Sequence, residues 1–158
     1  MSDKCNAQAL AATSGNETIL LVEDEEVVRL MLTEVLTHHG YAVLNAGRGA
    51  SALALAEKAA RPIDLLVTDI SMPGMTGWDL AGSLRINRPG LPVLFISGHN
   101  QHASKGWGGM DPPPEFLFKP FSLEAFLVKA RQMLDRGQTS APARPADKSS
   151  AGSPSTLL

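Results

Sequence analysis

Five side chains able to handle a phosphate group stand at or just beyond the ends of four apolar segments in this 158-residue chain. They are Glu23, Asp24, Asp69, Ser97 and Lys119. Clustered carboxylates repel one another unless a cation or a raised pKa relieves the repulsion, and Mg²⁺ prefers oxygen ligands that include phosphate. An aspartate can attack phosphorus as a nucleophile, while an ammonium and a hydroxyl can bind phosphoryl oxygens. The set therefore predicts Mg²⁺-dependent phosphoryl transfer, provided that the fold brings these side chains together.

Five apolar segments, alternating with helical patterns, supply the elements that must position these side chains. The segments are Ile19–Val22, Tyr41–Leu44, Ile63–Thr68, Leu91–Ile96 and Glu115–Phe118. After the first segment, apolar residues recur at helical spacing: Val27, Met31 and Val35, with Val28, Leu32 and Leu36 beside them. Ser122 is an N-cap before the last helix. Strands that alternate with helices predict an α/β fold with a parallel sheet. Because ligands bind beyond the carboxyl ends of such strands, the five polar side chains are expected to converge at one edge.

The stretch between the fourth and fifth strands departs from this alternation. It contains Gly106, Gly108, Gly109 and the run Pro112–Pro114, all of which disfavour a helix. We therefore expect the fourth helix to be short or irregular and confined to about residues 99–105.

Composition places the chain among soluble proteins with a hydrophobic core. Hydrophobic residues make up 44% and charged residues 19%, and the net charge of −2 gives no general attraction for nucleic acid. The single cysteine, Cys5, excludes an internal disulfide and a CxxC metal site. No stretch approaches the roughly 18 apolar residues of a membrane helix, so we expect a cytoplasmic protein without membrane contacts.

The two ends of the chain differ in composition from its centre. Residues 1–16 are small and polar and are expected to form a flexible arm before a folded domain of residues 17–136. Residues 137–158 are rich in Ala, Ser and Pro, so burial cannot offset the ordering entropy and a disordered tail is expected. No DNA-binding domain fits in that tail, so the output is expected to pass through contacts with another protein, or the chain is the receiver part of a larger kinase.

Four stretches together resemble the receiver domain of bacterial response regulators and hybrid sensor kinases, over residues 18–135. They are LLVEDEE (20–26), VTDISMPGMTG (67–77), VLFISG (93–98) and FLFKPF (116–121). The resemblance implies a flavodoxin-like, doubly wound fold of five parallel strands in the order 2-1-3-4-5, with helices on both faces.

The resemblance also implies a role for each matching position: phosphoacceptor, Mg²⁺ ligands, phosphoryl-binding groups, aromatic switch and cis-proline. Asp69 would be the phosphoacceptor, and Glu23, Asp24, Asp69 and the backbone carbonyl of Ser71 would be the Mg²⁺ ligands. Ser97 and Lys119 would bind the phosphoryl group, Phe116 would be the aromatic switch, and Pro120 would be the cis-proline. All the positions that carry chemistry are filled, which favours an active receiver domain.

The partners implied by the resemblance are a sensor histidine kinase or a histidine phosphotransfer protein, while the output partner is left open. The domain would then be a switch of protein–protein contacts and not an enzyme in its own right. One alternative is a receiver-fold scaffold that works without phosphorylation. Another is an aspartate-nucleophile phosphatase, but that class requires a second aspartate where this chain has Ser71. A flavodoxin would need a Ser/Thr/Gly phosphate loop after the first strand, where Glu23 and Asp24 stand.

Overall fold

The computed structural model describes residues 13–98 and 110–140, with side chains described as far as residue 137. The strands are β1 (Thr18–Val22), β2 (Ala42–Ala46), β3 (Leu65–Asp69), β4 (Val93–Ser97) and β5 (Glu115–Phe118). The helices are α1 (Glu26–His38), α2 (Gly49–Lys58), α3 (Gly77–Asn87) and α4 (Leu123–Ser140). The short helix predicted at about residues 99–105 lies outside the described residues.

All five strands are parallel and form one sheet in the order β2-β1-β3-β4-β5. Every residue of β1, β3 and β4 is buried, as expected for central strands that are covered on both faces. The flavodoxin-like fold and its strand order are therefore confirmed. Because β1 pairs directly with β3, the side chains at their carboxyl ends emerge next to each other.

Alternation along the strands divides the core between the two faces of the sheet. Leu20, Leu66 and Phe95 belong to the cluster that also contains the buried residues of α2 and α3. Leu21 and Leu94 belong to the opposite cluster, which contains the buried residues of α1 and α4. Both faces are thus covered by helices, and the carboxyl edge of the sheet is left for polar groups.

The connection from β3 to α3 is held by a close backbone approach and a capping box. The Gly77 N–H donates to the Ile70 carbonyl at 2.9 Å, and a Cβ at Gly77 would collide with the Asp69 carbonyl oxygen. Thr76 and Asp79 cap α3 reciprocally, each side chain accepting from the other residue's N–H at 3.2 Å. The start of α3 is therefore bonded to the residue that follows β3, and this contact fixes the backbone next to the Asp69 carboxylate.

Only one of the two apolar stripes on α1 faces the core. Val27 and Met31 are 74% and 44% exposed, whereas Leu32 and Leu36 are fully buried against the sheet. The two candidate stripes lie side by side on the helix, and apolar spacing alone does not decide which one faces the core. As a result, α1 presents apolar side chains to solvent.

Residues 13–16, assigned from the sequence to the flexible arm, pack against the folded body. The Gly15 N–H donates to the His39 carbonyl at 3.0 Å, and the Tyr41 hydroxyl donates to the Thr13 carbonyl. Arg131 of α4 donates to Glu17 at 2.6 Å and to the Tyr41 hydroxyl at 3.2 Å. His39 and Tyr41, which follow α1, and Arg131 of α4 thus hold this stretch through its backbone groups.

Helix α4 continues to Ser140, beyond the predicted domain end at residue 136. Glu115 of β5 forms ion pairs with Lys129, at 2.6 Å, and with Arg136, which holds the end of the helix against the sheet. Tertiary contacts thus carry the helix through Gly137, a residue that favours a helix end. Although α4 has 18 residues, neither it nor any other helix in the described ranges is long and apolar enough to cross a membrane.

Candidate functional site

The carboxyl edge of the sheet brings together the polar side chains that the sequence singled out. Glu23 follows β1 directly, Asp69 and Ser97 end β3 and β4, and Lys119 follows β5. Glu23, Asp24 and Asp69 each offer a carboxylate oxygen within 4.8 Å of the others. The convergence expected from the topology is therefore present.

Glu23 is the deepest carboxylate of this cluster, with a fully buried side chain. One of its oxygens accepts from the Glu25 N–H at 3.2 Å, and the other accepts from the Lys119 ammonium at 3.2 Å. Burial raises the pKa of Glu23 to about 7, and the negative charge of Asp69 adds to the rise. The backbone N–H of Glu25 and the charge of Lys119 act in the opposite direction without cancelling it.

Asp69 is held through both of its carboxylate oxygens. The Ser71 N–H donates to Oδ1 at 3.1 Å, and the Lys119 ammonium donates to Oδ2 at 3.3 Å. Burial alone would lower the pKa of Lys119, but the charges of Glu23 and Asp69 outweigh it and raise that pKa. Lys119 therefore stays protonated and bridges the two buried carboxylates.

Ser97 and Lys119 are linked through the backbone at the ends of β4 and β5. The Lys119 N–H donates to the Ser97 carbonyl at 2.8 Å, and Ser97 is 2% exposed. The peptide bond between Lys119 and Pro120 is cis, as the resemblance implies. This arrangement places a hydroxyl and an ammonium on neighbouring strand ends, on the β4–β5 side of Asp69.

Phe116 lies two residues into β5 and packs within a group of aromatic rings. Its ring centroid is 5.6 Å from that of Phe95 and 5.9 Å from that of Trp78. Trp78, in the first turn of α3, is itself 4.2 Å from Phe95. Trp78 was not predicted as part of this group, because its distance along the chain from Phe116 is no sign of the contact.

The acidic cluster fits a divalent cation that prefers oxygen ligands. The cluster contains three carboxylates and one ammonium, that of Lys119. Within the described residues, no other side-chain cation forms an ion pair with Glu23 or Asp69. An oxygen-only donor set with a solvent-facing member, Asp24, suits Mg²⁺, which keeps several waters and accepts phosphate oxygens. The donor chemistry of the site therefore matches the ion that the resemblance implies.

The raised pKa of Glu23 predicts that the metal-free protein becomes less stable as the pH rises from about 4.5 to about 7. The folded state retains a proton that the unfolded state has already lost, so ionisation costs up to about 3 kcal/mol over this window. Urea unfolding in a chelator at several pH values measures the effect, and Glu23→Gln is expected to flatten the profile. The control Glu57→Gln, at an exposed carboxylate of α2, should keep the wild-type slope. An unchanged profile in Glu23→Gln would show that Glu23 does not hold this proton.

Comparison with known proteins gives consistent matches. Residues 19–131 match the family described as the response regulator receiver domain. The sensor kinase CckA of Brucella abortus is 37% identical over 123 residues, which cover 78% of this chain and 13% of that protein. The crystal structure of the receiver domain of the hybrid histidine kinase CckA is 38% identical, with a TM-score of 0.62 and coverage of 74% and 98%. The response regulator TrrA of Thermotoga maritima, solved in complex with Mg²⁺ and BeF, is 26% identical, with a TM-score of 0.64 and the same coverage.

The chain belongs to the response regulator receiver family, because the family match covers most of its length. It is a receiver domain of the kind used in two-component signalling. Receiver domains generally bind Mg²⁺ at an acidic pocket, and this chain has an acidic cluster of Glu23, Asp24 and Asp69. The chain spans 13% of the sensor kinase CckA and about half the length of the transcriptional regulators that it also matches.

Proposed function

We propose that this chain accepts a phosphoryl group from a phosphohistidine onto Asp69, in an Mg²⁺-dependent step of a cytoplasmic two-component relay. The observation that supports this most directly is the setting of the Asp69 carboxylate. It lies 3.3 Å from the Lys119 ammonium and within 4.8 Å of two further carboxylates. A nucleophile beside both a fixed cation and a cation-binding cluster is suited to phosphoryl transfer.

In the proposed step, a carboxylate oxygen of Asp69 forms a bond to phosphorus as the nitrogen–phosphorus bond of the donor breaks. The electron pair of that bond stays on the imidazole nitrogen of the donor. Mg²⁺ held by Glu23, Asp24, Asp69 and the Ser71 carbonyl would supply charge neutralisation for the phosphoryl oxygens. Lys119 and the Ser97 hydroxyl are proposed to bind the remaining oxygens, since both stand on the β4–β5 side of Asp69.

We further propose that phosphorylation is transmitted through Ser97 and Phe116. Movement of the Ser97 hydroxyl toward the phosphoryl group would change the space available at the end of β4, next to β5. The register pairs Phe95 of β4 with Phe116 of β5, and their rings stack. A shift at Ser97 therefore reaches Phe116 through a neighbouring strand, and from there contacts with a partner protein can change.

The donor is proposed to be a sensor histidine kinase or a histidine phosphotransfer protein, and α1 offers it an apolar contact surface. Val27, Leu30 and Met31 are exposed on the first two turns of α1, immediately after the acidic pair. Val27 follows Asp24 of the acidic cluster by three positions, so a donor that reaches this cluster would come near the start of α1. Burying them against the donor would add affinity next to the reacting atoms.

The proposal is tested by following the intact mass of the protein with acetyl phosphate as the donor. We expect one phosphoryl group per chain in the presence of Mg²⁺ and none after chelation of the metal. Phosphate trapping followed by peptide mapping should place the modification in the peptide that contains Asp69. Labelling of equal extent with and without Mg²⁺, or labelling elsewhere in the chain, would contradict the proposed function.

A further inference from the structure

The backbone of Glu23 is held from both sides as it leaves β1. Its N–H donates to the Ala46 carbonyl at the end of β2, at 3.1 Å. Its carbonyl accepts from the Nη1 of Arg29 at 2.8 Å. The second bond is unusual because a side chain, and not the neighbouring strand, satisfies the backbone at the point where the strand ends.

Arg29 reaches this carbonyl from the first turn of α1. Its own N–H donates to the Glu25 carbonyl at 2.9 Å, and its carbonyl accepts from the Thr33 hydroxyl at 2.7 Å, so its backbone is well fixed. The guanidinium carries charge, and a charged donor makes a stronger bond to a carbonyl than a neutral one. The peptide unit between Glu23 and Asp24 is therefore clamped from the helix side.

Gly47 provides the space that the guanidinium occupies. A Cβ at this position would lie 2.7 Å from Nη1 and 3.4 Å from the Cζ of Arg29, and no other atom would lie as close. An alanine at position 47 would therefore displace the flexible end of Arg29 and leave the sheet in place. Gly47 directly follows Ala46, whose carbonyl accepts the hydrogen bond from the Glu23 N–H. The end of β2 and the residue after it therefore take part in both contacts of the Glu23 backbone.

Asp24 depends on this backbone more than its neighbours do. The Glu23 carboxylate is oriented by the Glu25 N–H and by Lys119, and Asp69 is oriented by Ser71 and Lys119. The Asp24 carboxylate is exposed, and within the described residues no backbone N–H or cation is bonded to it. Its position follows the peptide that joins it to Glu23, and the Glu23 carboxylate is the side chain with which it interacts.

We propose that Arg29, seated against Gly47, is a positioning residue that fixes the Glu23–Asp24 peptide and so aims the Asp24 carboxylate into the divalent-cation site. This inference rests on the proposed function in so far as the cation is Mg²⁺. Partners that orient metal ligands without touching the metal typically contribute about tenfold to a hundredfold in affinity. The bond from Arg29 to the Glu23 carbonyl, called the clamp below, would thus determine how far the carboxylates are already in position before the metal binds.

The test is an Mg²⁺ titration by calorimetry of the wild type, Arg29→Gln, Gly47→Ala and the double variant. Each single variant is expected to weaken Mg²⁺ binding by about tenfold or more. The double variant should be no weaker than the single ones, because both changes remove the same contact. The matched control Arg61→Gln removes an exposed guanidinium that follows α2 and should bind Mg²⁺ like the wild type. Wild-type affinity in Arg29→Gln or in Gly47→Ala, or fully additive effects in the double variant, would overturn the inference.

A second readout needs no metal and separates the two proposals. Amide hydrogen exchange at Glu23 and Glu25 in a chelator is expected to be faster in both single variants than in the wild type or in Arg61→Gln. Unchanged exchange at these amides would overturn the clamp. If exchange accelerates as expected but the wild type itself binds no Mg²⁺, the clamp stands and the proposed Mg²⁺-dependent function fails.

Discussion

Phosphoryl labelling by acetyl phosphate is expected to fall below detection when Asp69 is replaced with asparagine. The amide keeps the size of the side chain and can still accept the hydrogen bond from the Ser71 N–H. It lacks the anionic oxygen that attacks phosphorus, and it removes one of the three carboxylates of the cation site. Because the charge of Asp69 contributes to the raised pKa of Glu23, the substitution should also move that pKa downward. Phosphate trapping measures the first effect, and unfolding in a chelator at several pH values measures the second.

The matched control is Asp64→Asn, at the other end of the segment that forms β3. Asp64 accepts a hydrogen bond from the Thr18 N–H at 2.9 Å, and asparagine can accept the same bond. This variant should therefore fold and be labelled like the wild type. Labelling of Asp69→Asn to the wild-type extent would exclude Asp69 as the phosphoacceptor, although it would leave the receiver fold unaffected.

Replacing Lys119 with methionine is expected to slow phosphoryl transfer from acetyl phosphate by about a hundredfold or more, even at saturating Mg²⁺. Methionine fills a similar volume but removes the charge that lies 3.3 Å from Asp69 and 3.2 Å from Glu23. A fixed cation next to the developing phosphoryl charge needs no reorganisation during the reaction, which is why its loss is costly. Single-turnover labelling measured as a function of Mg²⁺ concentration separates this effect from weaker metal binding.

Lys129→Met is a close match for Lys119→Met as a control. Lys129 also forms an ion pair with a carboxylate, that of Glu115 at 2.6 Å, and its side chain is 29% exposed compared with 30% for Lys119. The pair lies at the amino end of β5, away from the acidic cluster. Lys129→Met should therefore label at the wild-type rate, and an equal loss of rate in both variants would point to a general effect of destabilisation.

The strands and their parallel pairing could be predicted from local patterns, whereas the strand order was implied only by the resemblance to receiver domains. Continuous apolar runs such as Ile19–Val22 mark strands that are covered on both faces, and the alternation with helices requires parallel pairing. The rotation of α1 could not be predicted in the same way. Val27 and Leu32 are both apolar, and only the packing of α4 and the sheet decides that Leu32 is buried.

The members of the acidic cluster could likewise be predicted, because each stands at a strand end. The residues that hold these side chains in place could not be predicted. Arg29 and Gly47 are 18 positions apart in the numbering of the chain, and their contact exists only because β1 and β2 are neighbours in the sheet. Neither residue type carries a spacing rule that would have pointed to the other, and the same holds for Trp78 and Phe116.

The ring group formed by Trp78, Phe95 and Phe116 gives the chain an optical probe of its own. The indole of Trp78 lies 4.2 Å from one phenyl ring and 5.9 Å from the other, and indole emission is sensitive to such close surroundings. The chain has only two tryptophans, so a Trp107→Phe background would leave Trp78 as the sole tryptophan, which can be excited selectively at the red edge of the absorption band. Rearrangement of β5 could then be followed by fluorescence in real time, without attaching any dye.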